Sequence, residues 1–295
     1  MQFGKDITKE LNLDLNNLEA ATFEIVDDIA VITMNRPEAA NSLNTAMHRD
    51  VVACFDEVHN NDDIKAAVIT ASGRFFCAGR DIKEFVGTYA EKNSDALRPI
   101  DDPNHVMFAT QCNHYDVWKP LIGAVNGAAV GGGLEIAIMC DMIVMSDDTY
   151  IADLHAKINV GGMNSMNTFL PAMIARELTM TDRRLTAQEC LSYGFANYVL
   201  PKDQILEKAI DLAKATALMG PDSIQRLKQG SIDLQRKSGN LRYENYYETR
   251  KANQMKMIEK VKSDDDLLEG MEAFVEKRKS DYKKAVKTDE DFKPY

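Results

Sequence analysis

A single glutamate lies inside an almost uninterrupted apolar stretch of the chain. The stretch VNGAAVGGGLEIAIMCD covers residues 125–141, and its three consecutive glycines end two residues before Glu135. Burying a carboxylate among such side chains costs free energy unless the group is paired, protonated or used in function. An apolar setting also raises a carboxyl pKa toward neutrality, which suits proton transfer. Glu135 is therefore a candidate acid or base, and a buried, hydrogen-bonded structural role is the alternative.

Two segments share one arrangement, in which a strand leads through a loop of small residues into a helix. They are AAVITASGRFFCAGRDIKEF, residues 66–85, and PLIGAVNGAAVGGGLEIAIM, residues 120–139. Free backbone N–H groups at a helix start, together with the helix dipole, favour negative charge. Two such loops that face each other can offer one amide each to a single oxygen, which is an oxyanion hole. For either loop alone, helix packing or turn geometry is the alternative.

The hydrophobic pattern predicts the elements that position these loops. The predicted strands are a hairpin over residues 22–34 with an Asp-Asp turn, and residues 65–71, 120–127 and 141–146. The predicted helices are residues 45–60 with Asn44 as the N-cap, a helix that starts at Asp81, and residues 106–117. This alternation predicts an α/β core with parallel strand pairing.

The C-terminal third of the chain has a different pattern. After about residue 202 the apolar spacing is helical as far as residue 285, with breaks at Gly220-Pro221 and Ser263-Asp264. We therefore predict four regions: an N-terminal extension (1–21), an α/β core (22–202), a helical oligomerisation region (203–285) and a tail (286–295).

Charge and cysteine content exclude several classes of protein. With 35 basic and 46 acidic residues the formal net charge is −11, which disfavours a general nucleic-acid binder. The five cysteines are widely spaced without a CxxC pair, which predicts neither a zinc site nor a disulfide framework. The N-terminus has no hydrophobic signal core, and charged residues interrupt the longest apolar stretch. We expect a cytoplasmic protein with no metal, nucleic-acid or membrane partner.

Four ordered motifs resemble those of the crotonase (enoyl-CoA hydratase/isomerase) superfamily. They are NRPEAANSLN, FCAGRDIKEF, KPLIGAVNGAAVGGGLEIAIMCDMIVMSDD and LTAQECLSYGFANYVLPKDQILEKAIDLAKATA. The resemblance runs from about residue 22 to 220, with a weaker match at LLEGMEAFVEKRK. It implies an α/β, crotonase-like spiral of ββα units with a helical C-terminal region. It also implies an acyl-CoA substrate, a homotrimer or homohexamer, and no cofactor apart from the coenzyme A of the substrate.

The resemblance assigns roles to particular residues. The thioester oxygen is expected between the backbone amides of Arg80 and Gly132, and Glu135 corresponds to the family's first catalytic carboxylate. The residues expected to contact substrate or CoA are Glu38, Ala39, Ala40, Ala78, Asp81, Ile82, Lys83, Gly131, Tyr243, Phe274 and Lys277. In the family, residues like the last two meet CoA across a subunit boundary. For Tyr243 the alternative is packing, and for Lys277 it is a solvated helix face.

The chain departs from the family pattern where a second glutamate is normally supplied. The stretch IADLHAKINVGGMNSMN, residues 151–167, lacks the proline–glutamate pair, and His155 stands at the position of the missing glutamate. A histidine can act as acid or base near neutral pH, and a pocket wall without proton transfer is the alternative. Glu135 with His155 is compatible with addition of water to an enoyl-CoA. The pair is also compatible with retro-Claisen hydrolysis, since some relatives that cleave carbon–carbon bonds have histidine or aspartate in this segment.

Two residues of the first glycine loop, Arg80 and Cys77, carry a charged or a potentially nucleophilic side chain. Only the amide of Arg80 is needed for an oxyanion hole, so its guanidinium either points to solvent or reaches a substrate carboxylate or CoA phosphate. Cys77 is rejected as a nucleophile because no histidine is near it in sequence.

Together these features predict a lyase that processes acyl-CoA, of the enoyl-CoA hydratase/isomerase type. A carbon–carbon hydrolase acting on a β-diketone or β-ketoacyl-CoA is the first alternative. A non-catalytic CoA-binding homologue is the second.

Overall fold

The computed structural model describes residues 15–90, 117–159, 164–238 and 265–281. The strands, in chain order, are β1 (Ala21–Val26), β2 (Ile29–Met34), β3 (Ala66–Ala71), β4 (Leu121–Val125), β5 (Ala129–Val130), β6 (Met142–Ser146), β7 (Tyr150–Ala152), β8 (Leu185–Thr186) and β9 (Tyr198–Leu200). A six-stranded sheet has the order β1-β2-β3-β4-β6-β9, and a three-stranded sheet has the order β5-β7-β8.

Helices alternate with these strands and then dominate the end of the chain. They are α1 (Thr45–Asn60), α2 (Ile82–Ala90), α3 (Gly132–Met139), α4 (Ala172–Met180), α5 (Ala187–Ser192), α6 (Ile205–Ala217), α7 (Pro221–Ser238) and α8 (Asp265–Val275). Short 3-10 helices cover Leu15–Asn17, Pro37–Ala39, His155–Ile158, Asn164–Thr168 and Lys202–Gln204.

The main sheet has the pairing that the pattern predicted. β1 and β2 form the antiparallel hairpin, and Asp27 in its turn adopts a φ of 60°, which aspartate tolerates better than most residues. Every later neighbour in this sheet, from β2 through β9, is parallel. All six residues of β3 are buried, as expected for a parallel strand covered on both faces.

Two hydrophobic clusters cover the two faces of the main sheet. The smaller one joins Ile205, Ala209 and Ala213 of α6 to apolar residues of β2, β3, β4 and β6. These three residues recur every four positions, so they form one stripe along the helix that faces the sheet. A boundary at residue 202 stays a prediction, and α6, which begins just after it, packs on this sheet.

The ends of α1 and α7 follow local capping rules. Asn44 is the N-cap of α1, and its side chain accepts a hydrogen bond from the Met47 N–H, as predicted. α7 begins at Pro221, directly after the predicted break, because proline at the first helical position loses no intrahelical bond.

The last predicted helix is shorter than its pattern indicated. It ends at Val275 rather than at residue 285, and Lys277 adopts a φ of 55°. The N–H of Arg278 donates to the carbonyl of Ala273 at 3.0 Å, which caps the helix end. The guanidinium of Arg278 also pairs with both carboxylate oxygens of Glu269, at 2.6 and 2.8 Å. Residues 106–116 of the helix predicted over 106–117 lie outside the described residues, as do residues 239–264 of the predicted helical region.

Within the described ranges, no helix is both long enough and apolar enough to cross a membrane. The same residues contain no group of three or more histidine, cysteine, aspartate or glutamate side chains arranged to hold a metal ion.

Candidate active site

The first glycine loop is held by an extended segment that precedes α1. The N–H of Leu43 donates to the carbonyl of Gly79 at 2.8 Å, and the N–H of Asp81 donates to the carbonyl of Leu43 at 3.0 Å. Leu43 and Arg80 form a parallel β-bridge, in which Leu43 bonds to the residues before and after Arg80 and not to Arg80 itself. The N–H of Arg80 itself is therefore directed away from Leu43.

The second glycine loop is hydrogen-bonded to the first. The N–H of Val130 donates to the carbonyl of Cys77 at 2.9 Å, and the N–H of Cys77 donates to the carbonyl of Ala128 at 3.2 Å. α3 starts at Gly132, whose N–H has no intrahelical acceptor because it belongs to the first turn. A Cβ atom on Gly132 would lie 3.7 Å from the backbone nitrogen of Arg80. The backbone of Gly132 therefore lies near the Arg80 amide at the N-terminus of α3, where the helix dipole favours negative charge. A shared oxyanion hole of these two amides stays a prediction.

Two glycines make this close approach possible. Gly79 has a φ of +89°, and a Cβ there would lie 2.7 Å from the carbonyl oxygen of Val130. A Cβ on Gly133 would lie 2.2 Å from the carbonyl oxygen of Cys77. Both contacts are to backbone atoms that cannot rotate away, so larger residues would force the two loops apart.

Glu135 lies at the margin of the core rather than in it. α3 has eight residues, and the buried ones are Gly132, Gly133, Leu134, Ile136, Ala137 and Ile138. The Glu135 residue as a whole is half-buried, although its Oε2 atom is buried. Glu135 is thus carried on a tightly packed helix, one turn after the Gly132 amide.

His155 lies against the second glycine loop. Its ring atoms Cε1 and Nε2 lie 3.7 and 3.9 Å from the position that a Cβ on Gly131 would occupy. Its Nδ1 lies 2.5 Å from Oδ1 of Asp153, which also accepts the backbone N–H of His155 at 3.1 Å. The Asp153 side chain is 0% exposed, and that of His155 is 21% exposed.

Several charges act on the pKa of His155. Burial of the ring lowers this pKa, but the hydrogen bond to Asp153 and the negative charges of Glu135 and Asp153 raise it. The positive charge of Arg80 opposes them. The balance holds the pKa above the ordinary value of 6.5, so the imidazolium form persists to higher pH than in an unperturbed histidine.

The guanidinium of Arg80 stacks on an aromatic ring. Its Cζ lies 3.9 Å from the centre of the Phe85 ring, and its Nε is buried. This arrangement is a cation–π contact with α2. The guanidinium therefore does not extend freely into solvent, which was one of its two predicted directions.

The other predicted contact residues of the first loop region surround these groups. Glu38 and Lys83 are exposed, while Ala39, Ala40, Ala78 and Ile82 are partly buried. Asp81 is held by Arg36 at 3.2 Å and by the Ser42 hydroxyl at 3.3 Å. Contact of these residues with substrate stays a prediction.

Two of the C-terminal candidates lie on α8 or just beyond it. α8 packs against α2 and against the 3-10 helix His155–Ile158 of the same chain. Phe274 on α8 is 45% exposed, and Lys277 lies just beyond the end of this helix. Tyr243 lies outside the described residues. A CoA contact from Phe274 or Lys277, within or across subunits, stays a prediction.

Sequence reasoning missed Asp153. The residue stands two positions before His155 and directly after β7. An acidic residue at this spacing from a histidine, at the end of a buried strand, is the sequence feature that could have indicated it. The structure brings together Arg80, Gly131, Gly132, Glu135 and His155 from the predicted set, and it adds Asp153 to them.

Cys77 packs between the loops and does not present a reactive thiol. It is fully buried, and burial raises the pKa of its thiol to about 12, with a smaller rise from the charge of Glu135.

Cys77→Ala is expected to leave kcat unchanged and to lower the free energy of unfolding by about 1 kcal/mol for the lost packing. Steady-state turnover and urea denaturation of the variant check this. A loss of turnover comparable to that of a catalytic residue, with the fold intact, would contradict the rejection of Cys77.

The comparisons with known proteins agree with this fold. A family model described as enoyl-CoA hydratase/isomerase matches residues 24–285. The chain belongs to this family. It is an enzyme of the enoyl-CoA hydratase type, and the predicted crotonase fold is confirmed.

Three similar proteins illustrate the family relationship. The chain is 33% identical over 257 residues to the carnitinyl-CoA dehydratase of Proteus mirabilis, and the aligned region covers 85% of this chain and 94% of the relative. It is 31% identical over 223 residues to the (E)-benzylidenesuccinyl-CoA hydratase of Thauera aromatica, covering 72% and 81%. The crystal structure of a carnitinyl-CoA hydratase from Mycobacterium avium has a TM-score of 0.73 at 28% identity, covering 90% of this chain and 99% of that one.

Proposed function

We propose that this enzyme catalyses the reversible addition of water to the double bond of an α,β-unsaturated acyl-CoA. One arrangement supports the proposal: the backbone of Gly132 approaches the Arg80 amide, and His155 lies beside the same glycine loop, where the charge of Glu135 acts on it. The names of the relatives, which are CoA hydratases and dehydratases, support the same reaction class.

The two amides would bind the thioester oxygen. As the hydroxyl oxygen of water bonds to the β-carbon, the π electrons move toward the α-carbon and the thioester oxygen gains charge as an enolate. Donors that are already oriented stabilise such charge without reorganisation, and the N-terminus of α3 adds a favourable dipole. In the reverse direction the same enolate forms as the hydroxyl leaves.

Glu135 and His155 would handle the protons. The Glu135 carboxylate takes one proton from the water as its oxygen attacks the β-carbon. The imidazolium of His155 gives its Nε2 proton to the α-carbon, which completes the hydroxyacyl thioester. Transfer of the proton from Glu135 to His155 then restores the starting state. The raised pKa of His155 supports its role as the acid, because an imidazolium must be present before it can donate.

One observation favours a second candidate function. His155 is supported by a buried aspartate, and an aspartate–histidine pair also suits activation of water for attack on a β-keto carbon. In that reaction the two amides would stabilise the departing enolate. The third candidate function is that of a non-catalytic CoA-binding homologue.

Mass-resolved turnover of the purified enzyme distinguishes these candidates. One set of thioesters is α,β-unsaturated, and the matched set carries a β-keto group on the same acyl chains. Gain of one water by the unsaturated set alone is the expected result. Cleavage of the β-keto set would favour the carbon–carbon hydrolase, and tight CoA binding without turnover of either set would favour the non-catalytic homologue.

We propose that no added metal or redox cofactor is needed for turnover. We also propose that the enzyme is a homo-oligomer, and sedimentation of the same preparation measures its oligomeric state.

His155→Ala is expected to lower kcat at least tenfold, which corresponds to about 1.4 kcal/mol of barrier. The reason is the loss of the proton donor at the α-carbon. The measurement is the pH dependence of kcat for both proteins, with Lys157→Ala as the control because Lys157 is an exposed residue of the same 3-10 helix. If His155→Ala keeps the wild-type pH profile, the histidine is only a wall of the pocket.

A further inference from the structure

We propose that Asp153 is a positioning residue, which holds His155 with a proton on Nδ1 and directs Nε2 toward the space beside Gly131. The inference rests on the proposed function, in which Nε2 carries the transferred proton. Asp153 itself is not expected to touch the substrate, because its side chain is completely buried.

A single carboxylate oxygen anchors His155 twice. Oδ1 of Asp153 lies 2.5 Å from the ring Nδ1 and accepts the backbone N–H of the same residue at 3.1 Å. An ionised carboxylate only accepts hydrogen bonds, so Nδ1 must be the protonated nitrogen. This leaves Nε2 as the nitrogen nearest to Gly131 that can exchange a proton, which fixes both the orientation and the tautomer of the ring.

The anchor is itself tied to the second glycine loop. Asp153 directly follows β7, and the carbonyl of Ala152 in this strand accepts the N–H of Gly131 at 3.0 Å. β7 also pairs with β5, which enters the same loop. The strand that presents Asp153 is therefore hydrogen-bonded to the loop that presents the Gly132 amide. A side chain held by this strand keeps a constant position relative to the proposed oxyanion hole.

The same carboxylate contributes to the charge state of His155. Its hydrogen bond and its negative charge raise the pKa of the ring, together with Glu135, against burial and against Arg80. Removing the Asp153 charge should therefore lower this pKa. The 3-10 helix that begins at His155 packs against α4 and α8. The other described charged side chains on these three elements are Lys157, Arg176, Glu177, Glu269 and Glu272.

The test is Asp153→Asn, which keeps the size of the side chain and removes its charge. We expect kcat to fall roughly tenfold to a hundredfold, part of the full worth of a positioned acid, with little change in KM. The basic limb of the pH–kcat profile should move to lower pH, because the proton donor is lost as pH rises through a pKa that is now lower. Asp153→Glu, which retains the charge, should restore part of the shift in the profile.

Two comparisons separate positioning from a general structural effect. In a His155→Ala background, Asp153→Asn should cause no further loss of kcat, because the two residues act as one unit. An equal loss with and without His155, or an unchanged pH profile for Asp153→Asn, would overturn the proposal.

A spectroscopic measurement keeps the test independent of turnover. The ¹⁵N shifts of the imidazole, assigned with His155→Ala, should show the Nδ1–H tautomer above the pKa of His155 in the wild-type enzyme. The Nε2–H tautomer would overturn the proposal even if every enoyl thioester is turned over. The Nδ1–H tautomer in an enzyme that hydrates no thioester would sustain the positioning role while the proposed function fails.

Discussion

Glu135→Gln is expected to lower kcat by roughly 10²- to 10⁴-fold, the usual worth of a positioned acid or base. Glutamine has nearly the same shape as glutamate but cannot take a proton from water. Because Glu135 is half-buried at the margin of α3 and not part of its packed face, the variant should fold normally. The measurement is kcat for hydration of an enoyl thioester, together with thermal unfolding of both proteins.

Glu24→Gln is the matched control for this prediction. Glu24 is exposed on β1, the edge strand of the main sheet, and its replacement makes the same change in net charge. It should keep wild-type turnover. A Glu135→Gln enzyme that is folded and retains near-normal kcat would remove Glu135 from the mechanism and would leave His155 as the principal acid–base group.

Gly133→Ala is expected to lower the free energy of unfolding by about 3 kcal/mol or more, at the upper end of the cost of overpacking. The added Cβ would lie 2.2 Å from the carbonyl oxygen of Cys77 and 2.7 Å from its Cβ. Neither atom can rotate away, so the backbone of one glycine loop must move. The Cys77 carbonyl also accepts the N–H of Val130, and its displacement would weaken the hydrogen bond between the loops. Urea denaturation of the two proteins measures the difference.

Gly230→Ala makes the same chemical change where space is open. Gly230 is exposed within α7, and apart from its own stretch of helix no atom lies within 4 Å of an added Cβ. Alanine in a helix interior should raise stability by about 0.5–1 kcal/mol, since glycine loses more backbone entropy on folding. The two variants should therefore shift the denaturation midpoint in opposite directions. Equal midpoints for Gly133→Ala and the wild-type enzyme would show that the loops separate without cost.

Local patterns in the sequence determined the framework of this protein. The β1–β2 hairpin, the buried strands β3, β4 and β6, and the capped helix α1 each follow from the spacing of apolar residues and from turn or cap residues within a few positions. The glycines of the two loops, and Glu135 beyond them, also stand out by their type alone. Neighbours in sequence produce such signals, so these elements and the parallel character of the core could be predicted.

Tertiary contacts decided what short-range patterns do not encode. The three-stranded sheet consists of strands of two or three residues, which carry too little periodicity to be recognised and form only by pairing with segments far along the chain. The end of α8 is a backbone cap, in which Lys277 adopts a left-handed conformation and the N–H of Arg278 donates to the carbonyl of Ala273, and no glycine or proline marks this position in the sequence. Asp153 is of ordinary type in the sequence. It becomes a candidate positioning residue only because β7 buries it and the following 3-10 helix returns the ring of His155 to its carboxylate.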